Sequence, residues 1–309
     1  MSISVILPTY KRPHGLRDAV QSLIAQTCQP DEIVIVDNSP DGDAEGMSRT
    51  ARAVARCKVV YVHEPRPGVS NARNAGFAAA SGRYIAFLDD DEVASPGWLD
   101  ALLTTAETLG APVVFGPLRG DAAGVDGLRG DLARRLYSRV GPDEDRWLDE
   151  PYGCGNSLVD RKAFSLPEAP FDPRMNTCGG EDDLFFALLA RQGARFAWSA
   201  RAHAIETVDG DRNRLKYLLA RSFAFGQGAT QNCRHAEPVR WSGVAFWMAV
   251  GLVQMGVFAP LAGLATLLHA SQAATLVDKA VQGAGKLFWT DLFVPRFYGS
   301  GDAVPDQPS

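Results

Sequence analysis

The sequence predicts an α/β fold in which helices flank a mostly parallel sheet, with an apolar helical segment near the C-terminus. Short β-branched runs alternate with helical patterns in the N-terminal part of the chain. Strands that are separated by helices need crossover connections, which make neighbouring strands parallel. Residues 241–268 contain no Asp, Glu, Lys or Arg, which sets that segment apart from the rest.

The strand and helix predictions follow from the spacing of apolar residues. A helix beginning at Pro13 carries apolar residues at three- and four-residue intervals. A second helix follows Gly68 and ends near Gly82. No element is predicted in the Gly- and Asp-rich stretch that leads up to Arg146. The predicted strands are residues 3–7, 33–36, 59–62, 84–88, 113–115 and 195–198, and further predicted helices are residues 98–109 and 183–191.

Length, charge and cysteine content restrict the class of protein. A chain of 309 residues favours a principal domain, residues 1–235, with an appended region, residues 236–309. The formal net charge of -5 argues against nucleic acid as a partner. Five scattered cysteines fit a reducing compartment. No signal-peptide pattern follows Met1, so we expect the N-terminal part to stay in the cytoplasm.

The apolar segment, residues 241–268, predicts association with a membrane. About 20 such residues suffice for one helix to cross a bilayer. Basic residues are more frequent before the segment than after it, which favours a cytoplasmic N-terminal side and the inner face of the cytoplasmic membrane. The sequence leaves open whether the segment spans the bilayer or lies at its interface as a hairpin. A buried helix pair broken at Pro260 is the alternative.

The strongest chemical signal is a predicted strand that ends in three carboxylates, Asp89, Asp90 and Asp91. If the strand continued through them, Asp89 and Asp91 would share one face and Asp90 would point away. Paired carboxylates on one face suit Mg²⁺ or Mn²⁺, and they repel each other unless a cation offsets their charge. The alternative is a turn before the helix at Trp98, but Ser95 and Pro96 already provide a helix start.

Two further acidic positions are candidates for chemistry. Asp37 ends the second predicted strand, where an acid can bind a ligand or simply begin a turn. Residues 179–183 (GGEDD) open a helix, where carboxylates interact well with the helix dipole. The same position could keep one of these carboxylates ionised as a general base. No Gly-x-Gly-x-x-Gly follows the first strand, which disfavours a dinucleotide-binding domain.

Taken together, these motifs resemble those of the inverting family 2 glycosyltransferases, especially exopolysaccharide and succinoglycan glucosyltransferases that act on lipid-linked saccharides. The resemblance covers about residues 1–230 and implies the GT-A (Rossmann-like) fold with a mixed, mostly parallel sheet. It rests on residues 4–10 (SVILPTY), 36–39 (VDNS), 67–74 (PGVSNARN), 87–91 (FLDDD) and 179–182 (GGED).

The resemblance also implies roles for individual residues. Asp182 would be the catalytic base, and Asp91 would bind Mn²⁺ or Mg²⁺. Many relatives carry a metal-binding His after a later strand, where this sequence has Glu206, with His203 as the rival ligand. The residues implied to bind the donor or lie beside it are Pro8, Thr9, Asp37, Arg73, Asp89, Asp90, Gly155, Asn156 and Glu181.

The expected activity is transfer of a hexose from a nucleoside-diphosphate sugar, a UDP-sugar, to a hydroxyl of a lipid-linked or growing polysaccharide. An acceptor built on a polyprenyl diphosphate suits a catalytic domain held at a membrane. Two other functions stay open from the sequence. One is a sugar-phosphate nucleotidyltransferase, although the chain lacks a Gly-rich basic loop after strand one. The other is a membrane-anchored assembly protein that binds sugar nucleotides without catalysis.

Overall fold

The computed structural model describes residues 2–176, 179–236 and 238–295. These residues form two compact units. Unit 1 comprises residues 2–119 and 139–206, and unit 2 comprises residues 120–138 and 207–295. The predicted boundary at residue 235 falls inside unit 2, and the division into residues 1–235 and 236–309 stays a prediction. Cys178 and the tail from residue 296 lie outside the described residues.

Unit 1 is built on an eight-stranded sheet with the order β3-β2-β1-β4-β9-β6-β10-β8. The strands of the chain are β1 (Ile3–Thr9), β2 (Glu32–Asp37), β3 (Lys58–His63), β4 (Tyr84–Phe87), β5 (Glu92–Ala94), β6 (Val113–Phe115), β7 (Leu118–Asp121), β8 (Arg146–Leu148), β9 (Ser157–Asp160), β10 (Phe196–Trp198) and β11 (Ala204–Thr207). The first four neighbours in the sheet are parallel, and β9 pairs antiparallel with β4 and β6. The predicted mixed, mostly parallel sheet is confirmed.

Helices cover both faces of this sheet. The helices of the chain are α1 (Pro13–Ile24), α2 (Glu45–Val54), α3 (Val69–Ala79), α4 (Trp98–Leu109), α5 (Gly127–Tyr137), α6 (Glu181–Arg191), α7 (Leu215–His235), α8 (Trp241–Leu267) and α9 (Ala273–Leu287). Alternate residues of β1 serve the two faces: Val5 and Leu7 pack in the core with α1 and α4, and Ile6 packs in the core with α3 and α6. This alternation is the period of two expected for a strand that is buried on both sides.

A smaller sheet with the order β5-β11-β7 accompanies the main one. Strands β5 and β11 are antiparallel, and Glu92 faces Glu206 in their register. Unit 2 contains the helices α5, α7, α8 and α9 around an apolar core that includes Leu132, Leu218 and Ala274.

The structure differs from the sequence-based element predictions in three places. Helix α5 occupies the stretch for which no element was predicted. Strand β4 ends at Phe87, so the premise that Asp89 and Asp91 extend a strand is wrong. The apolar segment forms one helix that continues through Pro260, so the broken helix pair is wrong as well. A proline at this position removes one backbone hydrogen bond, and the rest of the long apolar helix is retained.

Helix α8 is, among the described residues, the helix that is long and apolar enough to cross a membrane. It has 27 residues, and its most apolar stretch has a mean hydropathy of 1.8. Only 11% of that stretch is buried within the protein. The suitability of α8 for crossing a membrane is judged from its length and composition alone.

The packing of α3 on the main sheet depends on Gly76. A Cβ atom at this position would lie 2.6 Å from Cγ2 of Ile6 and 2.9 Å from Cγ2 of Val36. We therefore expect Gly76→Ala to lower the free energy of unfolding by about 1–3 kcal/mol, because the helix must move away from two buried strands. Urea denaturation followed by circular dichroism measures this change.

Gly46→Ala in α2 is the matched control, because a Cβ atom there meets nothing within 4 Å. This control should stabilise the protein by up to about 1 kcal/mol, the usual gain from replacing glycine in a helix. Equal stability of the two variants would contradict the close-packing argument.

Candidate active site

The candidate site lies in unit 1, at the edge of the main sheet where the parallel strands β1, β2 and β4 end. Thr9 and Asp37 are register partners at the carboxyl ends of β1 and β2. The acidic triplet follows β4 as a turn, in which the backbone N–H of Glu92 donates to the carbonyl of Asp89 over 3.0 Å. Ligands of open α/β sheets bind outside this edge.

Asp90 ties the acidic turn to the end of β1. The Thr9 hydroxyl donates a 2.8 Å hydrogen bond to its carboxylate, and Arg12 donates to the other oxygen over 3.0 Å. The same guanidinium lies 2.5 Å from Asp91. Burial raises the pKa of Asp90 to about 6, and the Asp91 charge adds to that rise while Arg12 opposes it. Arg12 therefore partly neutralises two of the three acids.

Asp37 is almost fully buried, and it organises the loop that follows β2. One carboxylate oxygen accepts from the backbone N–H of Ser39 over 3.0 Å, and the other accepts from Ala44 over 2.6 Å and from the Tyr61 hydroxyl over 3.0 Å. Burial alone would raise the pKa of Asp37, but these hydrogen bonds lower it overall. The turn role is therefore visible in the contacts, and the implied role of Asp37 in donor binding stays a prediction.

Arg73 joins three segments of the chain from its position on α3. Its buried guanidinium pairs with Glu181 at the start of α6 and with Asp89 after β4, the latter over 3.3 Å. Glu181 is 6% exposed, so this pair is largely shielded from water. Burying either charge alone would be unfavourable, and the pairing offsets that penalty. Arg73 thus fixes α6 to the acidic turn.

Glu92 and Glu206 bring two more carboxyl groups to the cluster. Glu92 is 2% exposed, and a Cβ atom at Gly155 would lie 2.3 Å from its Oε1 and 3.0 Å from Asp89 Oδ2. A larger residue at this position of the loop would therefore displace the buried carboxylate of Glu92. Burial raises the pKa of Glu92 well above its usual range, and the charges of Asp89 and Glu206 add to the shift.

Asn156 braces the loop that contains Gly155. Its side-chain amide donates to the carbonyls of Pro117 and Ala202, each over 2.8 Å, and its oxygen accepts from the Trp98 indole over 2.7 Å. The residue is fully buried and has a φ of +52°, a conformation that asparagine tolerates better than most residues. Asn156 shapes the loop, and its predicted contact with the donor stays a prediction.

Arg139 is the cation on the other side of the acidic cluster. Its guanidinium donates to the carbonyls of Gly116, Gly153 and Asn156 over 3.1–3.4 Å. Burial lowers the pKa of Arg139, although the neighbouring acids, Glu92 first, favour its charged form. Arg139 therefore links the Gly153–Asn156 loop to the carboxylates.

Asp182 lies in the first turn of α6, next to the Gly153–Asn156 loop. A Cβ atom at Gly153 would lie 2.8 Å from its Oδ2. Burial raises the pKa of Asp89, Arg73 opposes this, and the charges of Asp91 and Asp182 add to the rise. Asp91 and Asp182 thus act on the same carboxyl group from two separate stretches of sequence. Carboxylates from these two stretches therefore lie near the same edge of the sheet.

The donor atoms of the site are carboxylate oxygens, the ligand type that Mg²⁺ and Mn²⁺ prefer. Seven carboxyl groups face three guanidinium groups, those of Arg12, Arg73 and Arg139. The seven are Asp89, Asp90, Asp91, Glu92, Glu181, Asp182 and Glu206. An excess of oxygen ligands suits a hard cation. In the part of the chain that the structure describes, no three His, Cys, Asp or Glu side chains are arranged so that they could hold a metal ion together.

Glu206 and His203 are the two candidates for a metal ligand in addition to Asp91. Glu206 lies among these acids. His203 is exposed, and its backbone carbonyl accepts from the N–H of Ser95. Pro8 lies one residue before Thr9 and opposite Val36 in the sheet.

Sequence reasoning missed three residues of the site: Arg12, Glu92 and Arg139. Arg12 directly precedes the predicted helix at Pro13, and Glu92 directly follows the acidic triplet. Their charge and their position beside these segments could have identified them as site residues. Arg139 follows α5 in a stretch without a recognisable pattern, and nothing near it in the sequence indicates its position.

Comparison with known proteins agrees with this fold. Residues 4–165 match the family model described as glycosyl transferase family 2. The chain is 32% identical over 231 residues to the succinoglycan biosynthesis protein ExoM of Rhizobium meliloti (strain 1021), which covers 74% of each chain. It is 33% identical over 111 residues to the glucosyl-dolichyl phosphate glucuronosyltransferase of Haloferax volcanii, covering 35% of this chain and 34% of that one.

A solved structure shares the fold over nearly the whole chain. The crystal structure of S. aureus TarS 1-349 in complex with UDP-GlcNAc superimposes with a TM-score of 0.52. The two sequences are 16% identical, and the match covers 93% of this chain and 90% of that chain. The chain described here belongs to glycosyl transferase family 2 and is a glycosyltransferase with the predicted GT-A fold.

The position of Arg139 leads to a prediction about stability. We expect Arg139→Gln to lower the free energy of unfolding by about 1–3 kcal/mol, because three carbonyls lose a donor and the acids lose a cation. Urea denaturation measures the change. Arg201→Gln, at an exposed arginine of the same unit, should stay within about 0.5 kcal/mol of the original protein. A similarly small effect at Arg139 would show that it does not support the cluster.

Proposed function

We propose that this chain is an inverting enzyme that transfers a hexose from a nucleoside-diphosphate sugar to a hydroxyl group of a saccharide. The observation that carries the proposal is the position of Asp182, whose charge acts on Asp89 at the edge of the sheet. A displacement reaction needs a base for the acceptor and a binding site for the leaving group. The carboxylate at the start of α6 is the proposed base, and the acidic turn is the proposed site for the diphosphate with its cation.

In the proposed reaction, the carboxylate of Asp182 accepts the proton of the acceptor hydroxyl. The acceptor oxygen then forms a bond with the anomeric carbon, while the bond from that carbon to the diphosphate oxygen breaks. The nucleoside diphosphate leaves with the electron pair, and the anomeric configuration is inverted because attack and departure occur on opposite faces. One displacement completes the transfer, and no covalent sugar–enzyme intermediate is required.

The other residues of the site hold the carboxylates in position or bind the proposed cation. Arg73 pairs with Asp89 and Glu181, and Arg139 holds the loop beside the acids through its hydrogen bond to Gly153. Thr9, with Arg12, holds Asp90 in place. Asp91 and Glu206 are the residues proposed to bind Mg²⁺ or Mn²⁺. When bound, such an ion would offset the negative charge that grows on the departing diphosphate.

The identities of the donor and the acceptor are proposed from the names of similar proteins and from the apolar character of α8. A UDP-sugar is the proposed donor, because the structural neighbour TarS was solved with UDP-GlcNAc. A lipid-linked or growing exopolysaccharide is the proposed acceptor, because ExoM is named for succinoglycan biosynthesis. The apolar helix α8 supports membrane association and an acceptor carried on a polyprenyl diphosphate. We place the catalytic domain in the cytoplasm, at the inner face of the membrane.

The role of Asp182 can be tested by Asp182→Asn. We expect sugar transfer to fall about 10²–10⁴-fold, since the acceptor loses its general base, while donor binding is kept. Transfer is measured with radiolabelled UDP-sugars and membrane extract, and binding is measured by calorimetry with UDP. Asp183→Asn, at the exposed next residue of α6, is the control and should transfer at a near-normal rate. Near-normal turnover of Asp182→Asn would overturn the assignment.

The role of Asp91 can be tested by Asp91→Asn. A direct ligand should matter at least as much as an outer-shell partner, whose loss weakens metal binding by about 10–100-fold. Binding of Mn²⁺ in the presence of UDP, followed by electron paramagnetic resonance, measures this affinity directly. Asp100→Asn, at an exposed residue of α4, should leave it unchanged. Equal Mn²⁺ affinities of the two variants would remove Asp91 from the metal site.

A further inference from the structure

Helix α8 presents a continuous apolar face on the outside of unit 2. Its large side chains on this face are 45–78% exposed, which is unusual for so many apolar residues in one element. Exposed apolar patches of this extent mark a surface that another body covers. The residues of this face are Phe246, Leu252, Val253, Val257, Leu261, Leu264 and Leu267.

The opposite side of α8 is covered by α9. A Cβ atom at Gly251 would lie 2.6 Å from the carbonyl oxygen of Gly283, so the two helix backbones approach closely. Further along, the ammonium group of Lys279 lies 4.9 Å from the centre of the Phe258 ring. Helix α8 is therefore attached along one side to a helix that carries charge.

An ion pair whose carboxylate is buried joins α9 to α5. Asp278 of α9 is 2% exposed, and its carboxylate accepts 2.7 Å hydrogen bonds from Arg135 of α5 and Ser222 of α7. Helix α5 also carries the exposed Arg129. A transmembrane α8 would place α9 and its charged neighbours beside it in the hydrocarbon. Each charged side chain at the centre of a bilayer is unfavourable by about 3 kcal/mol or more.

Helix α8 is apolar around its whole circumference, so the charges on the helices beside it, and not its own polarity, favour a position in the plane of the membrane. Its 27 residues extend about 40 Å, longer than the roughly 30 Å hydrocarbon layer. We propose that α8 binds a phospholipid bilayer with its apolar face, lying along the surface without crossing it. This deepens the proposed function, because it rests on the membrane-linked acceptor proposed above.

A bilayer fits this face better than a second copy of the chain. Protein interfaces carry about one hydrogen bond per 100–200 Å² and a polar rim. Apart from two tryptophans, the polar side chains of α8 are Ser242, Gln254 and Thr266. At its start the exposed Arg234 lies 5.4 Å from the Trp241 ring, an arrangement suited to lipid phosphates above an apolar layer.

Vesicle flotation of the full chain tests the binding, with phosphatidylcholine vesicles that contain phosphatidylglycerol. Val253→Asp should lower the partition coefficient about tenfold or more, because a buried valine contributes at least about 1.5 kcal/mol. Val54→Asp is the matched control: both valines are more than 60% exposed, but Val54 lies on α2 of unit 1. Equal flotation of the two variants would overturn the proposal.

The same variants separate this inference from the proposed enzymatic function. Metal-dependent turnover of the UDP-sugar in vesicle-free buffer should be the same in both, since neither residue belongs to the acidic site. Loss of flotation with turnover intact fits the proposal, and absence of turnover in the original protein would remove the enzymatic function. A dimer that Val253→Asp converts to a monomer, without vesicle binding, would assign the face to a second copy.

Labelling from one side of the membrane tests the in-plane orientation. Cysteines are introduced beyond each end of α8 as His235→Cys and Ser271→Cys, both at exposed positions. In sealed inverted membrane vesicles, an impermeant maleimide should modify both sites equally, as mapped by mass spectrometry. Protection of Ser271→Cys until detergent is added would show that α8 crosses the bilayer and would overturn the proposal.

Discussion

Repulsion between carboxylates is the constraint around which the catalytic unit is arranged. Seven acids lie near one edge of the main sheet, and like charges so close together oppose folding unless cations offset them. Arg73 meets this need from α3 by pairing with Asp89 and Glu181, and Arg12 and Arg139 act from two other segments. The three arginines therefore position the acids while leaving an excess of negative charge. That excess of carboxylate oxygens is the basis for the proposal that the site binds a divalent cation together with a diphosphate.

Apolar spacing was enough to predict the sheet and most helices of unit 1, because buried strands and amphipathic helices have local periods. The helix over Trp98–Leu109 and the strand over Val113–Phe115 agree with the predicted residues. Helix α5 was not predicted, because its glycines and arginines obscure the helical spacing of the apolar residues that it buries in unit 2. The turn after Phe87 was mistaken for a strand, since an acidic triplet has no alternation of its own.

The site itself was only partly predictable. Motifs pointed to Asp89, Asp91 and Asp182 because each follows a strand or opens a helix. Glu92 was not recognised, because its burial depends on β11 and Gly155, which are distant in the sequence. Asp37 and Asn156 each form several hydrogen bonds with buried backbone or side-chain groups. These hydrogen bonds give both residues a structural role. A residue type that suits both a ligand and a turn cannot be assigned from the pattern alone.

The discontinuous make-up of unit 2 affects how the chain is synthesised. Arg135 leaves the ribosome long before Asp278, which follows it by 143 residues. Unit 2 therefore cannot form this ion pair, or cover α9, until α9 has been synthesised. Domains generally fold as units in the order of synthesis, and segments that wait for distant partners expose apolar surface. During that interval the growing chain has already produced α8, whose apolar face could engage a bilayer before the rest of its unit has assembled.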